Sequence, residues 1–292
     1  MFVFKAAVVG AGTMGGEIAQ VIAAADIPVV LKDVDQKFVD LGLEKAREVT
    51  TNQVGKLVKK ERITQEQGEQ QIEALLGRIT GTTSYDGFGD VDFVIEAVPE
   101  KMEIKHAVFA ELDAATPGHA ILASNTSGLS ITDIADAVSD DRRPRVVGFH
   151  FFWPASHMRL VEVIEGEDTA PETAQAAANF AQQIRKTAVR CGECPGFVVN
   201  RILNAMASEI WRYQDETGTP VEAIDEALKA SGVVPMGPFR LSDMTGLDTT
   251  LKVAKDLQEA YGPARFHVHR GMEELVAAGN LGAKSGKGFY EH

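Results

Sequence analysis

The stretch AAVVGAGTMGGEIAQVIAAA, residues 6–25, decides the fold. Ala6, Ala7, Val8 and Val9 read as a buried strand, GAGTMG follows at once, and the chain reads as helix through Ala25. A GxGxxG alone is weak, but a strand before it and a helix after it are the context in which the glycines have work to do. Gly10 permits the tight turn, Gly12 lets backbone approach a pyrophosphate, and Gly15 allows close helix–strand packing, with the helix N-terminus facing the phosphates. A second strand at 29–31 leads to Asp33, 23 residues after Gly10. A carboxylate there accepts hydrogen bonds from the adenosine ribose hydroxyls and repels a 2′-phosphate. Gly10, Ala11, Gly12, Thr13, Met14, Gly15 and Asp33 are therefore candidate contacts to NAD. The alternative is a glycine-rich turn that holds no ligand.

Outward from this unit, apolar runs alternate with helical patterns over the first ~190 residues, the signature of βαβ units. Residues 91–98 and 120–123 read as strands, with a helix around 104–112 between them. Residues 38–76 are charged, helical in propensity and far longer than a simple crossover, so they read as two protruding helices. Residues 77–88 are turn-rich, with room for a short strand. The runs 146–151 and 160–164 are too close for a crossover and read as a hairpin, and 170–184 as a helix. After Pro195 and Gly196 the pattern changes: 197–213, 221–230, 248–261 and 271–278 all read as helices. The expected fold is α/β: a Rossmann-type, mostly parallel sheet domain over 1–190, with the helix pair 38–76, then an all-helical C-terminal domain over 191–292.

The bulk composition is that of a globular protein, 292 residues with 45% hydrophobic and 24% charged. No apolar run is long enough to span a bilayer, and the first residues enter a strand without a basic region or cleavage site, so a cytoplasmic protein with no membrane partner is expected. A formal charge of −13 argues against nucleic acid. The two cysteines, Cys191 and Cys194, form one CGEC with no second pair, so no metal is expected. They are a redox pair or, more plainly, two thiols at a strand-to-helix junction.

His150 ends the apolar strand of GFHFF. A turn centred on residue 156 sets it opposite Glu162, within LVEVI, with Cβ atoms about 4.5–5.5 Å apart. An unpaired carboxylate in that run would be costly, and an imidazole partner explains it. Carboxylate and imidazole together form the arrangement a general base needs. The residues alone leave open a catalytic and a purely structural pair. Ser127, just past a strand's carboxyl end, and Asn200, early in the first helix of the second domain, read singly as a loop cap and a surface residue.

Eight motifs then occur in order: GAGTMG at 10–15, EAVPE at 96–100, SNTS at 124–127, HFF at 150–152, LVE at 160–162, PGFVVNR at 195–201, PMGP at 235–238 and KSGKGFY at 284–290. Together they resemble the L-3-hydroxyacyl-CoA dehydrogenase family, and within it the stand-alone bacterial 3-hydroxybutyryl-CoA dehydrogenases. The resemblance implies NAD-dependent, reversible oxidation of an (S)-3-hydroxyacyl-CoA, in fatty acid or butanoate metabolism. It makes His150 the base, Glu162 its orienting acid, Ser127 a hydrogen-bond partner of the substrate oxygen and Asn200 a hold on the thioester side. Glu100, Lys105, Ser127 and Lys284 match positions that touch the dinucleotide. The helix pair would meet the CoA phosphates, with Lys56 and Lys60 four apart on one face. The helical domain would serve the substrate and a homodimer, with Met206, Ile210 and Trp211 packing across it.

Two positions depart from the family pattern. Trp153 stands where the family has an Asn beside the nicotinamide; an indole offers one N–H and a large apolar face. Its ring either packs on the nicotinamide or acyl chain, or turns outward. Glu17 stands in place of a glycine. The competing readings are a dehydrogenase of a small hydroxy or sugar acid, whose relatives commonly lack HFF and the basic helix, and a non-catalytic structural relative, which intact Ser127, His150, Glu162 and Asn200 argue against.

Overall fold

The computed structural model describes residues 2–292. It divides into two compact units, one ending at Cys194 and the other running from Pro195 to His292.

The first unit is built on one eight-stranded sheet. Its strands are β1 (Ala6–Val9), β2 (Val29–Lys32), β3 (Ile79–Thr82), β4 (Phe93–Glu96), β5 (Ile121–Ser124), β6 (Val146–Phe151), β7 (Leu160–Glu165) and β8 (Thr187–Gly192). They lie in the order β3-β2-β1-β4-β5-β6-β7-β8. The six from β3 to β6 are parallel, β7 is antiparallel to β6, and β8 runs parallel to β7. The order reverses at β1, so the loops after β1 and β4 face each other across the crevice where doubly wound sheets bind ligands. Six helices complete the unit: α1 (Thr13–Ala23), α2 (Gln36–Lys59), α3 (Gln65–Leu76), α4 (Met102–Ala115), α5 (Ile131–Ala135) and α6 (Pro171–Gln183). Beneath α6, Phe93, Phe149 and Phe180 stack as one cluster, with Phe93 and Phe180 centroids 4.5 Å apart.

Two features differ from expectation. The division falls after Cys194 rather than Arg190, because Arg190, Cys191 and Gly192 pair with Val163, Ile164 and Glu165 as the end of β8. That strand is an edge with most of its residues exposed, so TAVRCG carries no strong apolar signal. In the pair expected to protrude, α3 buries only Gly68, whereas α2 is anchored. Helix α2 buries Val39, Gly42, Ala46, Val49 and Val54 and packs along α1. A capping box between Thr64 and Gln67 then starts α3.

In the second unit every regular element is helical: α7 (Val199–Thr217), α8 (Val221–Ala230), α9 (Pro238–Thr245), α10 (Leu247–Tyr261) and α11 (Arg270–Ala277). Helix α9 was not expected; it begins on the last proline of PMGP, a good first helical residue. The core holds Trp211, Phe239, Leu247 and Met272. Buried Asp243 fastens the C-terminal tail, accepting from the backbone N–H of Phe289 at 2.9 Å and Tyr290 at 2.8 Å. Trp211 is only 1% exposed, which removes it from the face expected to meet a second copy.

The α1–α2 contact is close enough to test. A Cβ on Gly16 would lie 2.6 Å from the Gly42 carbonyl oxygen and 3.0 Å from its Cα, both backbone atoms, whereas nothing lies within 4 Å of one on Gly12. Helix propensity alone favours alanine at position 16 by about 1 kcal/mol, but overpacking costs roughly 1–3 kcal/mol. Gly16→Ala is expected to lower Tm by roughly 2–8 °C, and Gly12→Ala to leave it nearly unchanged. Thermal unfolding of both without ligand decides it; an equal or higher Tm for Gly16→Ala refutes the contact.

Candidate active site

The turn after β1 is shaped by its glycines. Gly10 has a φ of +100°, and a Cβ there would lie 2.6 Å from the Ala97 carbonyl oxygen after β4. One on Gly15 would lie 1.7 Å from the Gly10 carbonyl oxygen, so α1 seats directly on the turn. At Gly12 the surroundings are open. The first turn of α1 holds no acidic residue and its N-cap makes no side-chain bond, so its N–H groups are available to an anion. Asp33 follows β2, its Oδ2 accepting from Ala11 N and its Oδ1 from Val34 N, both at 2.7 Å. Lys32 lies over the Tyr85 ring, 4.3 Å from its centroid, and Tyr85 donates to Glu111. Thr13 and Met14 open α1. A dinucleotide's pyrophosphate and ribose fit these groups.

The hairpin register is the one expected: His150 pairs with Glu162. The His150 Nδ1 is 2.8 Å from the Glu162 Oε2, and its Nε2 is 3.1 Å from the Ser127 Oγ. Glu162 is fully buried and His150 is 5% exposed. With the carboxylate on Nδ1, the ring proton belongs there and Nε2 carries the lone pair. The Phe152 ring packs on the imidazole, centroids 4.6 Å apart. Three elements thus bring Glu162, His150 and Ser127 into one line, an imidazole with a carboxylate on one nitrogen and a hydroxyl on the other, an arrangement able to serve general acid–base chemistry.

Sequence reasoning placed Glu100 and Lys105 at the dinucleotide and missed that they help to hold that line. Asn125 Oδ1 accepts from Phe151 N at 2.8 Å, tying the β5 loop to the end of β6. Glu100 accepts from Thr126 Oγ1 at 2.6 Å and from Ser127 N at 2.9 Å. Lys105 Nζ lies 2.8 Å from Glu96 and 3.2 Å from Glu100. Glu96 also accepts from Ser124 Oγ at 2.6 Å and Val98 N at 2.7 Å. Burial alone would raise the Glu100 carboxyl, but the Lys105 charge and the Thr126 and Ser127 hydrogen bonds outweigh it and hold the carboxyl below its usual range. Lys105 is 1% exposed, so its ammonium faces two carboxylates rather than solvent, while Glu100 keeps an exposed side. The sequence signals were the motifs EAVPE and SNTS, with an acid, Glu96, ending an apolar strand.

Other candidates stand on separate elements. Lys56, in the last turn of α2, and Lys60, its C-cap, are both exposed. Trp153, in the turn between β6 and β7, is 58% exposed. In the second unit, Asn200 lies in the first turn of α7, and Lys284 Nζ lies 2.5 Å and 2.6 Å from the carboxylate oxygens of Asp248. Among the described residues no cluster of His, Cys, Asp and Glu is arranged to hold a metal ion.

Comparison with known proteins identifies the family. Residues 5–194 match the model of the 3-hydroxyacyl-CoA dehydrogenase NAD binding domain, and residues 196–292 that of the C-terminal domain of the same family. The chain is 40% identical over 288 residues to a probable 3-hydroxybutyryl-CoA dehydrogenase of Deinococcus radiodurans, covering 99% of this chain and 100% of that one. It is 39% identical over 290 residues to a 3-hydroxybutyryl-CoA dehydrogenase of Clostridioides difficile, covering 99% of each. The crystal structure of (S)-3-hydroxybutyryl-CoA dehydrogenase from Ralstonia eutropha superposes with a TM-score of 0.90 at 37% identity, covering 100% of this chain and 99% of that one. The dinucleotide is NAD. From the glycine turn to the fastened C-terminal tail, this chain belongs to the 3-hydroxyacyl-CoA dehydrogenase family.

Proposed function

We propose that this chain oxidises the 3-hydroxyl of (S)-3-hydroxybutyryl-CoA to the 3-oxo thioester, reversibly and with NAD, in fatty acid or butanoate metabolism. The observation that carries the reading is the line Glu162–His150–Ser127 beside the open glycine turn. Held by the turn Gly10–Gly15 and by Asp33, NAD when bound would supply the hydride acceptor for C3. His150 Nε2 takes the proton of the 3-hydroxyl. Glu162 stabilises the resulting imidazolium, and Ser127 hydrogen-bonds the substrate oxygen. Asn200 holds the thioester side, and Lys56 and Lys60 meet the CoA phosphates. Asp33, Glu100, Trp153 and Lys284 contact the dinucleotide; Lys105, sealed between carboxylates, acts through Glu100.

The chain works as a cytoplasmic homodimer in this reading. In support, Ile202, Leu203 and Met206 are exposed on α7, a row of apolar side chains that suits a second copy. No helix among the described residues is long and apolar enough to cross a membrane.

Oxidation of NADH with acetoacetyl-CoA, beside free 3-oxo acids and a no-substrate control, tests the reading; turnover only without the CoA thioester refutes it. His150→Gln is expected to cut turnover at least ~100-fold with little change in NADH affinity. Glu162→Gln is expected to cut it at least ~10-fold, because an amide N–H facing Nδ1 drives the ring proton to Nε2 and blocks the base. A His150 variant with more than half the activity would end the assignment. Because Asp33 faces the ribose, catalytic efficiency should favour NADH over NADPH by at least ~100-fold, and equal efficiencies would falsify that role. Replacing Lys56 and Lys60 together with alanine should raise KM for acetoacetyl-CoA several-fold at low salt and less at high salt. An N-acetylcysteamine thioester, which lacks the phosphates, should be unaffected; equal loss on both would make the lysines structural.

A further inference from the structure

Glu17 lies in α1 two residues after Gly15, yet it is buried, 2% exposed. Its Oε2 accepts from the backbone N–H of Ser156 at 3.1 Å. Ser156 belongs to the turn that joins β6 to β7. A second buried charge grips the same turn: Lys186 Nζ donates to the carbonyl oxygens of Ala155 at 2.5 Å and Met158 at 2.7 Å. Lys186 sits just before β8 and is 8% exposed. Burial pulls its ammonium below the usual range, and the Glu17 charge opposes that pull. Lys45 of α2, 4.0 Å from Glu17, adds a third charge. Three backbone groups of one turn, at residues 155, 156 and 158, are therefore fixed by two buried, oppositely charged side chains.

The head of that turn is Trp153, three residues past His150. Its indole is 58% exposed, so side-chain packing does little to fix it, and its position is set by the backbone that carries it. The other end of the clamp is α1, whose first N–H groups are available to an anion.

We propose that Glu17 and Lys186 are positioning residues that lock the β6–β7 turn to the cofactor helix, so that Trp153 forms a fixed wall limiting the length of the acyl group. The turn and the dinucleotide seat then move as one body. The wall stands a set distance from the nicotinamide, and short acyl groups are selected over long ones. This rests on the proposed function, in which Trp153 contacts the dinucleotide, and takes the ring to face the acyl chain rather than to turn outward.

The test uses a Trp211→Phe background, in which Trp153 is the remaining one of the 2 tryptophans. Glu17→Gly removes the acceptor for Ser156, whereas Glu17→Gln keeps an oxygen there. Lys186→Met releases the two carbonyls and serves if Glu17→Gly does not fold. Fluorescence anisotropy and acrylamide quenching of Trp153 are read without ligand. Then kcat/KM is measured with acetoacetyl-CoA and with the 3-oxooctanoyl thioester. Glu17→Gly and Lys186→Met are expected to lower the anisotropy and raise quenching. Their preference for the four-carbon substrate should fall by about 5–10-fold, while Glu17→Gln stays within about twofold of the parent. A merely structural role would lower Tm but leave anisotropy and the chain-length ratio in place, and that result overturns the proposal. So does a Glu17→Gln variant that behaves like Glu17→Gly. A parent inactive on every CoA thioester would instead overturn the functional reading, while anisotropy still decides whether the turn is clamped.

Discussion

Everything at the site depends on the register of one antiparallel strand pair. Side chains alternate across a sheet, so a slip of one residue between β6 and β7 would turn Glu162 to the opposite face and leave His150 without its acid. The register holds because the same pairing sets Phe149 opposite Val163 and Phe151 opposite Val161, all four buried. Phe149 also belongs to the aromatic cluster under α6. The apolar core thus aligns the polar pair. On the other side β5 runs parallel to β6 with Ser124 beside Gly148, so the chain leaving β5 brings Ser127 to the level of His150. Gly148 has no room for a Cβ, which would lie 2.8 Å from the Ile164 side chain.

Parallel strands end together, and their loops gather at one edge with few regular hydrogen bonds to hold them. In this chain the loops are held by buried polar side chains. Glu96, the last residue of β4, takes the ammonium of Lys105 and the hydroxyl of Ser124. Glu100 takes the backbone of Ser127, and Asn125 that of Phe151. Such groups add little net stability, since desolvating two charges offsets most of their attraction, but removing one partner costs roughly 3–5 kcal/mol. An exposed pair such as Lys37 with Asp35 is screened by solvent and does little to fix a conformation. The buried pairs therefore choose one loop conformation rather than deepen the fold.

What the sequence made legible follows from how local the cause is. The glycine turn, Asp33 and the parallel strands were readable because turn chemistry and continuous apolar runs are short-range. The His150–Glu162 pair was readable because a short hairpin is symmetric about its turn, which makes a contact across twelve residues as local as a helical one. The edge strand β8 was hidden by its exposure, and α9 by a start on Pro238 amid glycines. Trp211 lies on a helix whose neighbours Ile210 and Met206 are partly exposed, and only tertiary packing, in a core it shares with Ile224, Phe239, Leu247 and Met272, decides that it turns inward. The partners of Lys105 at positions 96 and 100 are near in sequence, yet its burial depends on sheet strands far along the chain.

Glu17 shows the same division of causes from the other side. At its place in the chain it reads as a polar residue on a helix that should be buried, a conflict between local pattern and global fold. In the structure the conflict disappears, because the group that satisfies it is a backbone N–H 139 residues away and the charge that faces it is Lys186. A glycine at position 17 would leave Ser156 without that acceptor. The carboxylate replaces plain close packing of α1 with a directional contact that specifies both the helix and the turn. Directional contacts specify position more sharply than apolar ones do, since a hydrogen bond weakens steeply with angle while dispersion changes little over the same rotation. This is why a buried charge beside the glycine turn, costly for stability alone, is suited to holding the β6–β7 turn and α1 in fixed relation.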